Sequence, residues 1–149
     1  MNEKVTFSEM LPLIEDQLNK GGEVRFSPNG TSMLPLLRQG IDEVVIAKYN
    51  GGLRKFDIPF YRRKNGQFVL HRLVKKTKNG EYFMCGDHQS ELESGITDEN
   101  IIGVVSRIHR GNKVIRSGSL SFYLWAILGP RYIRLYHIYT QIKRKLRRK

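Results

Sequence analysis

A single cysteine, Cys85, stands in this chain of 149 residues. It cannot close an intramolecular disulfide, so nothing in the composition points to an oxidising compartment. Long apolar runs are also missing. The uncharged, largely apolar stretch over 117–130 falls short of the ~20 residues that a spanning helix needs. Met1-Asn2-Glu3-Lys4-Val5-Thr6-Phe7 has no basic start, apolar run or small-residue cleavage site, which argues against a secretory signal or membrane anchor and for a cytoplasmic location. No internal repeat is evident.

Acidic residues are scarce, 14 against 26 basic ones, giving a net charge of +12. That excess resembles a nucleic-acid signal until its distribution is read. Eight of the Lys and Arg lie from Arg131 onward with no acid among them, and residues 1–130 carry only +4. Nucleic acid is therefore a disfavoured partner, since the body shows no interleaved basic and aromatic surface. With 40% hydrophobic and 27% charged residues the composition is that of an ordinary globular protein. One body over 1–117 and a basic, aromatic-rich tail over 118–149 are expected.

The spacing of Phe7, Met10, Leu11, Leu13, Ile14 and Leu18 predicts a helix over 7–19, capped by Thr6 or Ser8 and ended by Gly21-Gly22. A lone short helix does not make a helix-turn-helix. Runs rich in β-branched and aromatic residues then predict strands over 23–27, 44–48, 58–62, 67–75, 82–85, 101–109 and 113–116. Asn65-Gly66 and Asn79-Gly80 suit tight hairpins, because both residues tolerate positive φ. The fold class read from this pattern is mainly β: a coiled, barrel-like antiparallel sheet with a short N-terminal helix. In the tail, Tyr132, Leu135, Tyr136, Tyr139, Ile142 and Leu146 recur at helical spacing beside a basic face. That amphipathic helix either lies on an anionic membrane surface or packs on the body.

Three segments carry chemistry. Gly30-Thr31-Ser32-Met33-Leu34-Pro35 places a serine after a turn, with backbone N–H groups at Ser32 and Met33 to face a developing oxyanion. Val69-Leu70-His71-Arg72 supplies a histidine sharing a strand face with Val69 and Leu73, a setting that suits a packed core residue as well as a general base. Cys85-Gly86-Asp87 and, six residues beyond Asp87, Glu93 offer two carboxylates to hold the imidazole in one tautomer. Cys85 and His88, with His71 or His109, are metal-ligand types. Cys85-x-x-His88 nonetheless has no second pair at ligand spacing, so no metal or cofactor is expected.

Gly30-Thr31-Ser32-Met33-Leu34-Pro35 resembles the Gly-x-Ser-Met-x-Pro box of the superfamily that joins type I signal peptidases with LexA-like self-cleaving repressors. Gln39-Gly40-Ile41-Asp42-Glu43-Val44 is similar to its next strand with one residue inserted, Val69–Val74 to its general-base block, and Cys85-Gly86-Asp87-His88-Gln89 to its Gly-Asp-Asn box. The blocks run in the family's order over residues 30–89. The resemblance implies the family's β-rich fold, a Ser32 nucleophile and a histidine-base variant in which His71 replaces the commoner lysine. Asp87, slightly preferred, or Glu93 then orients His71. Gly30 stands where signal peptidases commonly carry a serine that donates to the oxyanion, which leaves that task to backbone. The activity implied is serine endopeptidase cleavage of a leader or signal-type peptide or preprotein, at the inner membrane face or in the cytoplasm. The rival reading is a regulatory or partner-binding protein that keeps the fold without proteolysis.

Overall fold

The helix α1 spans Phe7–Asn19, as its periodicity predicts. In the computed structural model, which describes residues 7–124 and 126–128, its inner face is narrower than the full apolar set. Ile14 and Leu18 are buried and Phe7 is half-buried against the same core, whereas Leu13 is 71% exposed and Met10 also lies outside. Positions 7, 14 and 18 make the contact stripe, because a straight helix can aim only such i, i+7, i+11 rows at one surface.

Strand β1 is Val24–Phe26, β2 Asp42–Lys48, β3 Pro59–Arg62, β4 Phe68–Leu70, β5 Arg72–Lys76, β6 Tyr82–Cys85, β7 Glu93–Ile96, β8 Ile101–Arg110 and β9 Lys113–Arg116. All pairings are antiparallel. One sheet runs β1-β2-β8-β3-β4, with β9 also on β8, and curls into a half-barrel; a second runs β5-β6-β7. The ten-residue β8 holds the larger sheet together by pairing with β2, β3 and β9. One core cluster lies under α1 and a second lies around Tyr61, Leu73, Tyr82 and Met84.

Three departures from the sequence expectations bear on function. The single strand expected over 67–75 is two strands of different sheets, and His71 is the residue between them. An apolar alternation continues smoothly across that crossing, so periodicity cannot mark it. Strand β7 was not anticipated at all, since Glu93-Ser94-Gly95-Ile96 holds one β-branched residue and a glycine. It pairs Tyr82 with Ile96 but Met84 with Glu93, a bulge of two residues opposite one, with Gly95 at φ 79°. The two hairpin turns are also looser than expected. Gly66 N–H returns to Arg63 O and Gly80 N–H to Thr77 O, and only the glycines, not Asn65 or Asn79, have positive φ. These are type I turns closed by a left-handed glycine rather than two-residue turns.

Residues 120–124 and 126–128 are helical, with Phe122 and Ala126 buried and Leu120, Leu124, Ile127 and Leu128 exposed. The amphipathic helix expected from Tyr132 onward lies outside the described residues. Among those described, no helix is long and apolar enough to cross a membrane.

Candidate active site

Ser32 sits in an irregular segment between β1 and β2, pinned from below rather than by a strand ladder. Met33, Leu36 and Leu37 are all buried in the core under α1. Leu37 N–H bonds Met33 O at 2.8 Å and Leu34 N–H bonds Thr31 O at 3.2 Å. The far end is fastened by Asp42, fully buried and bonded by Arg38 and by Arg110, which also reaches Leu36 O. Burial alone would raise the Asp42 pKa, but the hydrogen bonds from Arg110 and Arg38 outweigh it and hold the carboxyl well below the usual range. Ser32 is left half-exposed on this anchored turn.

Its carbonyl is fixed by the Gly-Asp segment: His88 N–H donates to Ser32 O at 2.8 Å. Gly86 makes that approach possible, because a Cβ there would lie 2.5 Å from Ser32 O. Gly86→Ala should therefore lower the unfolding free energy by about 1–3 kcal/mol, as overpacking against backbone does. An unchanged denaturation midpoint would contradict that contact.

His71 is 4% exposed and lies against Tyr61 and Glu93. Tyr61 Oη donates to Glu93 Oε2 at 2.8 Å and stands 3.3 Å from His71 Nδ1; Glu93 Oε2 is 3.4 Å from the same nitrogen. Glu93 is gripped in addition by Arg63 through two bonds of 2.6 Å. Burial would raise the Glu93 pKa, but Arg63 and Tyr61 bring it below the ordinary value, so Glu93 is an ionised acceptor at neutral pH. The Tyr61 proton is thus directed to Glu93, which leaves the Tyr61 oxygen as the acceptor facing Nδ1 and favours the hydrogen on that nitrogen. That arrangement favours the neutral tautomer with Nε2 unprotonated. Burial, opposed by Glu93, pushes the His71 pKa below 6.5, so the ring is neutral at pH 7.

Ser32 and His71 line one cavity of about 540 Å³, together with Arg63 and His88. Among the described residues no hydrogen bond joins the Ser32 hydroxyl to His71, and the Ser32 and Met33 amides donate none. A serine, a neutral imidazole with its tautomer set from behind, and two undedicated amides are the parts acyl transfer uses.

The four residues singled out in the sequence separate here. Ser32 and His71 come together at the cavity and Glu93 stands behind His71, outside the lining, but Asp87, the preferred partner of His71, is engaged elsewhere. It forms a buried two-pronged pair with Arg72, at 2.7 Å for each bond. The arginine fork engages both carboxylate oxygens, and among the described residues no hydrogen bond joins Asp87 to His71. Cys85 is packed beside this turn, its thiol pKa raised by burial, so it is a protonated thiol at neutral pH. Tyr61 and Arg63 were missed by sequence reasoning. Their i, i+2 spacing, with Tyr61 inside β3 and Arg63 just past its end, was a signal that they share a side of the chain, but nothing local announced that β7 would bring Glu93 to meet them.

No protein-family model matches this chain, and no curated protein matches it.

Proposed function

We propose that this protein is a serine endopeptidase of signal-peptidase type, working through Ser32, His71 and Glu93 on a leader or signal-type peptide. The observation that carries this reading is the polarity of His71: Tyr61 and Glu93 hold its Nδ1 side, and the ring lines the cavity that Ser32 also lines. Ser32 attacks the scissile carbonyl while His71 Nε2 takes its proton. Glu93, partly through Tyr61, stabilises the imidazolium that forms. The oxyanion is received by the Ser32 and Met33 amides, in keeping with Gly30 having no side chain to offer. His71 then returns the proton to the leaving amine, and water repeats the sequence to release the acyl group. The sequence resemblance to the signal peptidase and LexA-like superfamily supports the same assignment, with Asp87 moved from the catalytic role to that of scaffold. The exposed apolar residues of 120–128 and the basic residues beyond them favour work at an anionic membrane surface.

The test is covalent. An alkyl fluorophosphonate should label the full chain once, at Ser32, and Ser32→Ala should abolish the adduct by intact mass. A wild-type chain left unlabelled would instead favour a partner-binding protein that keeps the fold without proteolysis.

A further inference from the structure

Four phenylalanines line the cavity that Ser32 and His71 share: Phe7 from the start of α1, Phe26 from β1, Phe60 from β3 and Phe68 from β4. They form one cluster. Phe7 lies 5.2 Å from Phe26, 5.6 Å from Phe60 and 6.0 Å from Phe68, and Phe60 stacks on Phe68 at 5.8 Å. Only Phe60 is fully buried; the other three remain partly exposed. The cluster draws residues from two ends of the large sheet and from the helix, so it is a built wall and not a chance surface pair. No carboxylate lines the cavity among the described residues, and its one lining arginine, Arg63, is already held by Glu93.

The rest of the lining includes Asn29, Thr31, Gln67 and Gln89 but no anionic group, so the phenylalanine wall is the part of the cavity that selects by apolar area. An alanine side chain would leave the ring faces in water, and a lysine would lose hydration without finding a counter-charge. We propose that the cavity beside Ser32 seats a large apolar side chain, aromatic or branched, that the substrate peptide carries within a residue or two of the bond attacked. The substrate class narrows to leader peptides with a bulky apolar residue beside the cleaved bond, as distinct from the small-residue cleavage site of a secretory signal. This inference rests on the peptidase reading for its biological use, but the pocket itself is testable without turnover.

The experiment titrates the full-length Ser32→Ala protein with N-acetyl-phenylalanine amide, N-acetyl-alanine amide and N-acetyl-lysine amide, followed by amide NMR shifts. The phenylalanine compound should bind at least about tenfold more tightly than the other two, the scale on which apolar pockets discriminate. Its shifts should centre on β4 and the Ser32 turn. Phe68→Ala should remove most of the preference; Phe7→Ala, at the helix start, provides a second variant should the first unfold. Equal binding of the three, tighter binding of alanine or lysine, or shifts confined elsewhere would overturn the pocket. Fluorophosphonate labelling separates the two ideas. Selective binding without labelling keeps the pocket and loses the peptidase, whereas labelling at Ser32 without selectivity does the reverse.

Discussion

Replacing His71 by alanine should slow fluorophosphonate labelling of Ser32 about a thousandfold, within the range that removal of a general base costs. The more discriminating variants lie behind the ring. Glu93→Gln keeps the shape of the side chain but removes the charge, and its amide N–H competes with Nδ1–H for the accepting side of Tyr61 and so favours the wrong tautomer. A loss of about a hundredfold is expected, against about tenfold for Tyr61→Phe, which deletes one hydrogen bond. The pH profile distinguishes chemistry from scaffolding. His71 must be neutral to accept a proton, and its pKa is already below 6.5 through burial. Labelling by the wild type should be on its plateau at neutral pH and fall as pH drops through that lowered value. Glu93 opposes the depression, so Glu93→Gln lowers the His71 pKa further, as does the charge of Arg63 once its partner is gone. The acid limb should therefore move to lower pH even as the plateau falls. A reduced plateau with the limb unmoved would mean that Glu93 only holds the fold.

The elements most legible in the sequence were those whose signal is local. Helix α1 is set by apolar spacing, and most strands by β-branched runs between turns, because burial of one face dictates the pattern that burial then stabilises. Ser32 and His71 were legible as motif residues. What escaped reading was assembly. Strand β7 has almost no strand propensity of its own; the edge of β6 and a glycine bulge create it, and the bulge is what places Glu93 beside His71. Sequence proximity favoured Asp87, yet Arg72, adjacent to His71 in the chain, claims Asp87 from the other side of the strand crossing. Neighbouring residues in extended chain point oppositely, so the two basic residues at positions 71 and 72 sort the two carboxylates between them. Alternation contained that rule, but the partners could not be assigned without the long-range pairing.

The largest effect on stability should follow from Asp87→Ala, at about 3–5 kcal/mol, the cost of leaving one member of a buried ion pair uncompensated. Against a total of about 5–15 kcal/mol for a domain, that shifts a urea midpoint severely or unfolds the chain outright. Both residues are only 3% exposed. The Arg72 guanidinium also donates to Phe56 O at 2.9 Å and lies over the Phe122 ring, 5.0 Å from its centroid. Phe56 has φ 77°, a left-handed conformation costly for a bulky residue, so the lost anchor would release a strained loop as well. The penalty belongs to the orphaned charge more than to the pair. Replacing both partners, as in Arg72→Met with Asp87→Leu, should accordingly recover much of the loss, since apolar substitutes for a buried pair are often neutral or better. This separates Asp87 from Glu93 by experiment. Asp87→Asn retains one acceptor for Arg72 and should cost stability while moving the acid limb of Ser32 labelling less than Glu93→Gln does, because Asp87 acts on His71 only weakly and across the strand crossing. A variant that kept the wild-type midpoint but moved the limb by more would return Asp87 to the position behind the imidazole and displace Glu93 from it.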